Sequence, residues 1–269
     1  MEDVELVPDP GRDDAFTLRV GGADQSHVDL TDPLRLDFDY VQRAADVLDA
    51  ALPRPDRRAV LHVGGAGLTL PRWVAATRPT SRQVVLEPDA ALTTLVRERL
   101  PLPPRSRIKV REQDGRRGVR ELRDGWADAV VLDAFAGARV PAELTTEGFF
   151  ADVARVLAPE GLLVANLADR APFGHLRRAL AGVRLSLPQL LVLAEPAVLK
   201  GRRFGNLVVA ASRRPLPGAA LARRSSGAAF PYRVLAEDEV ADRFGGGAPF
   251  TDDDRAPTPL PPGGVLALR

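Results

Sequence analysis

A glycine cluster after a short apolar segment is the first group of residues that could bind a ligand. Residues 61–63 run into Gly64, Gly65 and Gly67, and a helix-forming segment follows. Such glycines allow a tight turn and the close approach of a bound group, and the next helix N-terminus favours polar or anionic groups. A nicotinamide dinucleotide site needs a further glycine three residues after Gly67, where the chain has Leu70, and this weakens the dinucleotide interpretation. A simple strand-to-helix turn would use the same glycines.

Three acidic residues follow the next three apolar segments. Glu87 comes 22 positions after Gly65, where a carboxylate can accept hydrogen bonds from both hydroxyls of a ribose. Asp114 follows the third segment, and Asp133 ends the fourth, which is almost wholly apolar. Because ligands bind at the carboxyl ends of the strands in open α/β sheets, these acids are expected to face one crevice. A carboxylate at position 133 could orient an amine nucleophile or take its proton.

Each acid also has a purely structural interpretation. Glu87 or its neighbour Asp89 could cap the next helix, and we assign the cap to Asp89 and the ribose to Glu87. The pair Asp114-Gly115 is, taken alone, more typical of a turn. Asp133 could cap a loop, but its place at the end of a central strand favours a functional role.

Alternating strands and helices must position these residues. The predicted elements are strands at 59–63, 83–86, 107–110, 127–132 and 161–166, helices at 68–76, 90–100, 146–157 and 173–183, and a late antiparallel pair at 190–193 and 207–211. Alternation of this kind predicts an α/β fold with a Rossmann-like doubly wound sheet and right-handed crossovers.

Three segments are expected along the chain. Residues 1–55 should form a small N-terminal β-hairpin layer, with strands at 16–20 and 26–30, plus a linking helix at 37–52 that Pro53 and Pro55 end. Residues 56–212 should form the Rossmann-like domain that carries the candidate cofactor site. Residues 213–269 are a Pro/Gly-rich extension, expected to be mostly loop with one short helix at 237–243 and partly mobile or packed over the sheet. Its acidic run at 252–254 is predicted to be solvated.

Composition excludes several classes of protein. The chain has 269 residues, no cysteine, three scattered histidines and a net charge of +1. Disulfides, thiolate nucleophiles and cysteine-based metal sites are therefore excluded, and no metal site is expected. The near-neutral charge requires neither nucleic acid nor a membrane as partner. The N-terminus does not resemble a signal peptide, and a soluble cytoplasmic protein is the expectation.

The order and spacing of these motifs resemble the spermidine synthases. The resemblance covers residues 25–212 and includes the glycine cluster, Glu87, Asp114-Gly115, Asp133 and the segments 144–150 and 159–166. These enzymes are aminopropyltransferases of polyamine biosynthesis, and they have the class I methyltransferase fold. The resemblance implies S-adenosylmethionine or its decarboxylated form as co-substrate, a small amine as acceptor and a homodimer as a possible assembly.

The resemblance also implies roles for individual residues. Glu87 matches the acid that binds the ribose, Asp114 the acid that reads the adenine amino group, and Asp133 the base for the incoming amine. Gln25 and Tyr40 match a glutamine and a substrate-pocket tyrosine. The glycines complete the implied cofactor site: Gly64, Gly65, Gly67 and Gly115.

Three departures bear on the reaction. The family has an aspartate at the position of Gly67, where it holds the cofactor's ammonium, and a second aspartate at the position of Ala136, where it binds the polyamine. The acid that follows the family's tyrosine pair is Gln42 here. A cationic acceptor needs carboxylates, because an unpaired buried ammonium is costly.

Three further hypotheses therefore stand beside aminopropyl transfer. Methyl transfer to an unknown acceptor needs the same fold, and glycine at 67 would not repel the carboxylate of a methyl donor. A catalytically silent module that binds an adenosyl group would explain the loss of two acids from the acceptor site. A nicotinamide-dependent oxidoreductase is the third hypothesis, and Leu70 counts against it.

Overall fold

The computed structural model describes residues 3–52 and 57–262, and it has two sheets with helices on both faces of the larger one. The strands are β1 (Val4–Asp9), β2 (Arg12–Val20), β3 (Ala23–Asp29), β4 (Ala59–Val63), β5 (Arg82–Leu86), β6 (Ile108–Arg111), β7 (Ala127–Leu132), β8 (Leu157–Asp169), β9 (Gln189–Ala194), β10 (Gly205–Ser212) and β11 (Arg233–Leu235). The helices are α1 (Asp39–Ala51), α2 (Thr69–Thr77), α3 (Ala90–Arg99), α4 (Gly115–Arg120), α5 (Glu147–Val156), α6 (Gly174–Arg184), α7 (Pro196–Leu199), α8 (Gly218–Ser225) and α9 (Glu237–Phe244), with a short 3-10 turn at Ala142–Leu144.

The larger sheet has eight strands in the order β11-β9-β10-β8-β7-β4-β5-β6. Strands β4 to β8 pair in parallel, and β10 pairs antiparallel with both β8 and β9. The predicted α/β class and the late antiparallel pair are confirmed. Every residue of β4 is buried, as expected for a strand that helices cover on both faces.

Apolar clusters cover both faces of this sheet. Helices α5, α6 and α9 pack on one face around Phe149, Phe150 and Phe244. Helices α1, α2 and α8 pack on the other, around Leu48 and Trp73. The two helical layers enclose the strands, and the carboxyl ends of the parallel strands open at one edge.

The N-terminal layer has three antiparallel strands, β1-β2-β3, and not the predicted two. Leu18 and Val28 from this small sheet pack on Leu68, Val85 and helix α3. This contact brings β3 against the turn between β4 and α2. Pro53 and Pro55, which were predicted to end the linking helix, lie outside the described residues.

The C-terminal extension is more ordered than predicted. Besides the helix expected at 237–243, it forms α8 and β11, and β11 pairs antiparallel with β9 at the edge of the main sheet. Leu221, Tyr232 and Leu235 are buried there because they complete the core beside β9 and α1. The division of the chain at residue 212 stays a prediction. None of the described helices is long and apolar enough to cross a bilayer.

Candidate active site

A cavity of about 320 Å³ lies at the carboxyl ends of β4, β5 and β7, within the size range of small-molecule sites. Eight of the residues predicted from sequence line it: Gln25, Tyr40, Gly64, Gly65, Glu87, Asp114, Gly115 and Asp133. Gly67 is not among the lining residues. The structure thus brings the candidate residues together, while their individual roles stay predictions.

Gly64 makes the close approach that the glycine cluster predicted. Its φ is +97°, and a Cβ atom there would lie 2.1 Å from the carbonyl oxygen of Asp133. The amide of Gly64 donates to Leu86 O at 2.9 Å, and that of Asp133 donates to Val63 O at 2.9 Å. Glycine is therefore required at 64, because any side chain would separate the turn from the end of β7.

Glu87 organises the glycine turn through its carboxylate. One oxygen accepts from the amides of Gly65 at 3.0 Å and Ala66 at 3.3 Å, and the other accepts from Asp89 N at 3.0 Å. Asp89 caps α3 by accepting from Leu92 N at 2.9 Å, which confirms its predicted role. The two acids therefore have separate tasks, and the ribose contact of Glu87 stays a prediction.

Asp114 begins a helix that the sequence did not predict. Its carboxylate accepts from Arg117 N at 2.9 Å and so caps α4, where we weighed a simple turn. A Cβ on Gly115 would lie 2.5 Å from Val63 Cγ1. Glycine therefore lets the start of α4 pack directly on β4, at the floor of the cavity.

Asp133 is held by a partner that the sequence reasoning missed. Asn166 Nδ2 donates to Asp133 Oδ1 at 3.0 Å, and Asn166 Oδ1 is buried without a partner among the described residues. Burial raises the pKa of Asp133 to about 6, partly offset by the Asn166 hydrogen bond. The strand register could have indicated this contact. Leu132 pairs with Ala165, so the residues that follow them, Asp133 and Asn166, are neighbours. A carboxylate with this pKa can accept a proton near neutral pH.

Tyr40 and His62 are neutral groups that line the same cavity as Asp133. Burial, with the charges of Asp133 and Asp39, raises the pKa of Tyr40 well above its usual value, so it stays a phenol. Burial lowers the pKa of His62 to about 4, and its Nε2–H donates to Gln83 Oε1 at 2.9 Å. Neither group supplies charge to the cavity at neutral pH.

The charged residues of the cavity wall all carry the same sign. Among the described residues that line it, five are carboxylates and none is lysine or arginine: Glu87, Asp89, Asp114, Asp133 and Glu143. The sequence reasoning missed Glu143, whose carboxylate makes no ion pair or hydrogen bond with the described residues. A wall of this kind gives a negative potential and attracts cations.

Strand β3 occupies the space beside Gly67. Ser26 Oγ accepts from Gly67 N at 3.1 Å, and Thr69 Oγ1 donates to His27 O at 2.8 Å. A Cβ on Gly67 would lie 2.8 Å from Ser26 Cβ and 2.9 Å from Val28 Cγ2. The small sheet therefore leaves no room for a side chain at position 67.

Replacing Gly67 by Ala should destabilise the protein through this contact. Overpacking of this kind costs about 1–3 kcal/mol, or roughly 2–10 °C in melting temperature for a chain of this size. Gly174→Ala is the matched control, because a Cβ there has no neighbour within 4 Å. Thermal melts of both variants check this, and equal melting temperatures would contradict it.

Comparison with known proteins identifies the family of this chain. No protein-family model matches the chain. The structure aligns with a probable spermidine synthase from Corynebacterium glutamicum at a TM-score of 0.87 and 31% identity, over 93% of this chain and 92% of that one. The chain belongs to the spermidine synthase family.

Two further proteins match a smaller part of this spermidine synthase family member. The polyamine aminopropyltransferase of Chromobacterium violaceum is 31% identical over 143 residues, 53% of either chain, so the match spans about half the length of that curated relative. A human methyltransferase-like protein 13, solved in complex with SAH, aligns at a TM-score of 0.55 and 19% identity over 79% of this chain and 93% of that one. The second likeness shows the shared class I methyltransferase fold alone.

Proposed function

We propose that this chain transfers the aminopropyl group of decarboxylated S-adenosylmethionine to an amine acceptor. The observation that carries the proposal is the charge of the cavity wall, where five carboxylates stand without a lysine or arginine among the described lining residues. Decarboxylated S-adenosylmethionine carries a sulfonium and an ammonium, and a polyamine carries only ammonium groups. The curated relatives named polyamine aminopropyltransferase support the same reaction.

The charge of the wall also weighs against methyl transfer. The methyl donor carries a carboxylate on its amino-acid arm, and no described lining residue is a cation that would pair with it. Glycine at position 67 does not favour a methyl donor, because β3 fills the space where a larger side chain would stand. Absence of an acid at position 67 therefore has a steric reason and does not indicate an anionic ligand.

The resemblance to spermidine synthases supports a role for each residue of the wall. We propose that Glu87 accepts from the ribose hydroxyls, that Asp114 accepts from the adenine amino group, and that Gly64, Gly65 and Gly115 let the nucleoside lie against the backbone. We assign Gln25, Tyr40 and Asp133, which line the same cavity, to the acceptor. Gly67 would act indirectly, by keeping the turn against β3.

In the proposed reaction, the acceptor nitrogen attacks the aminopropyl carbon that is bonded to sulfur. The new N–C bond forms as the C–S bond breaks, and the electron pair of that bond returns to sulfur and cancels the sulfonium charge. The proton lost by the amine passes to Asp133, and 5′-methylthioadenosine leaves as the thioether product. The protein contributes mainly by aligning the two reactants and by accepting the proton.

Calorimetric titration with three nucleosides tests the proposal. We expect decarboxylated S-adenosylmethionine to bind tightest, neutral 5′-methylthioadenosine next and S-adenosylmethionine weakest, with about tenfold or more between first and last because the acidic wall repels a carboxylate. Turnover is then followed as 5′-methylthioadenosine release with linear diamines.

Two outcomes would overturn the proposal. Tighter binding of S-adenosylmethionine than of the other two would favour methyl transfer. Binding of the decarboxylated form without product, across diamines and longer polyamines, would favour a catalytically silent adenosyl-binding module.

A further inference from the structure

A C-terminal segment, residues 250–258, runs across the outside of the cavity wall, and we call it the strap. The amide of Glu147 donates to Phe250 O at 2.8 Å, which fixes the start of the strap to α5. The Phe250 ring lies 4.8 Å from the His175 ring and 4.1 Å from the guanidinium carbon of Arg178. His175 Nε2 donates to Ala256 O at 3.0 Å. The strap is therefore fastened along α6 as well as at its start.

The far end of the strap is bonded to the loop after β7. Val140 N donates to Thr258 Oγ1 at 2.8 Å, and Thr258 N donates to Val140 O at 3.2 Å. Arg139 donates to the carbonyl oxygens of Pro257 and Thr258. Thr258 is fully buried. Residue 140 directly precedes Pro141, which lines the cavity. These bonds therefore fix the backbone at the start of wall residues 141–144.

Asp252 connects the strap to the wall at a second place, through Arg116. Arg116 Nη2 donates to Asp252 Oδ2 at 2.8 Å, and its Nη1 donates to Thr146 Oγ1 at 2.8 Å and to Glu143 O at 3.3 Å. Thr146 Oγ1 in turn donates to Asp252 Oδ1 at 2.8 Å. Arg116 follows Gly115 in the sequence, so one buried guanidinium ties the strap to both Gly115 and Glu143 on the wall.

We propose that the strap positions the cavity wall formed by residues 141–144 and by the start of α4, with Asp252 and Thr258 as its positioning residues. Neither side chain lines the cavity, so both act through Val140 and Arg116. The wall segment is short and is held by few bonds of its own: Thr145 N and Leu144 N close a single turn on Ala142 O and Pro141 O. Its placement therefore depends on the bonds from outside.

Two variants test the strap, and two more serve as controls. Thr258→Val keeps the shape of the side chain and removes the acceptor for Val140 N, whereas Thr258→Ser keeps a hydroxyl and should rescue. Asp252→Asn removes the charge that pairs with Arg116. Asp253→Asn is the matched control, because Asp253 is exposed and makes no hydrogen bond or ion pair with the described residues.

The first readout is amide hydrogen exchange of residues 139–146, measured by mass spectrometry on the full chain. Loss of the buried hydrogen bond that Thr258 Oγ1 accepts should speed exchange there by roughly 5- to 100-fold in Thr258→Val, and loss of charge from the part-buried Arg116–Asp252 pair should speed it by a smaller factor in Asp252→Asn. The second readout is the affinity for 5′-methylthioadenosine by calorimetry, expected to fall about 3- to 30-fold in the same two variants. Asp253→Asn and Thr258→Ser should match the wild-type chain in both.

Unchanged exchange at residues 139–146 in both Thr258→Val and Asp252→Asn would overturn the proposal. So would faster exchange with unchanged nucleoside affinity, because the strap would then stabilise the fold without positioning the site. The affinity readout rests on the proposed function. If the wild-type chain binds no nucleoside, that function fails, and the exchange of residues 139–146 alone decides for or against the strap.

Discussion

Asp133→Asn should lower the rate of aminopropyl transfer by a factor of about 10²–10⁴ and leave cofactor affinity nearly unchanged. The amide has the shape of the carboxylate, and its oxygen can still accept from Asn166 Nδ2, which lies 3.0 Å from Asp133 Oδ1 in the structure. It cannot take a proton from the acceptor amine. Single-turnover rates and calorimetric titration, measured on the same preparation, separate the two effects. A variant that retains full activity would remove Asp133 from the mechanism.

The same substitution should make the protein more stable at neutral pH. Burial raises the pKa of Asp133 to about 6, so the folded state holds this proton more tightly than the unfolded state does. The stabilising contribution is therefore complete below pH ~4 and is lost as the pH rises through about 6, amounting to at most ~3 kcal/mol. Asparagine at position 133 does not ionise, so the variant does not lose this stability as the pH rises. Its melting temperature should exceed that of the wild type at pH 7.5 but not near pH 4.

Asp89→Asn is the matched control for both measurements. Asp89 lines the same cavity and caps α3 through Leu92 N, and asparagine is an equally good N-cap. Its transfer rate and the pH dependence of its stability should stay close to those of the wild type. The same rate loss in both variants would point to the overall charge of the wall and not to a base at position 133.

The second large effect is expected at Glu87. Replacing it by Gln should weaken binding of the cofactor by about 10- to 100-fold, because the carboxylate accepts from three backbone amides and the glutamine amide has one acceptor oxygen. The –NH₂ group would face an N–H donor and push the turn away from its place. Calorimetry gives the affinity, and the rate at saturating cofactor should change much less.

Glu143→Gln is the control for Glu87. Glu143 lines the same cavity and carries the same charge, but its carboxylate makes no bond to the described residues. If both variants lose affinity equally, the effect comes from charge alone and the organising role of Glu87 is wrong. Together, Asp133→Asn and Glu87→Gln are expected to give opposite patterns, one losing rate and the other losing binding.

The sequence predicted those elements in which the local residue pattern and the tertiary packing favour the same structure. Strand β7 was predicted with the bounds that the structure has, because a segment that is apolar except for Asp128 and is flanked by turns is typical of a buried strand. The acids after β5, β6 and β7 were expected at one edge of the sheet, and they line one cavity. Parallel strands carry their following residues to a common edge, so spacing alone was enough.

Helix α4 could not be predicted from local sequence. Two of its six residues, Gly115 and Gly118, disfavour a helix, and the segment has only one apolar side chain, Val119, to indicate a buried helix face. The helix forms because glycine at 118 allows close packing on Leu86, whose Cδ atoms would lie 2.6 Å from a Cβ there. A contact with a residue 32 positions away leaves no trace in the local pattern.

The acidic run at 252–254 shows the same limit for charged residues. The predicted solvation agrees with the structure, since residues 252–254 are all exposed, but the local pattern did not indicate that Asp252 pairs with Arg116, 136 positions earlier, or that Asp254 pairs with Arg178. At position 67, Ser26 and Val28 fill the space that a side chain would occupy. Long-range packing decides both positions, and the local pattern of the sequence does not record it.

The bond between Val140 and Thr258 also bears on when the site is completed during synthesis. The two residues are 118 positions apart, and a ribosome adds about 5–20 residues per second, so roughly 6–24 s separate their translation. The strands that carry the glycine turn and Asp133 are made well before the residue that fastens the wall beside them. A nascent chain stalled between these positions would have the strands of the nucleoside site but not the bond that fixes residue 140, and ligand capture by such stalled chains should rise sharply once residue 258 is added and free to pack.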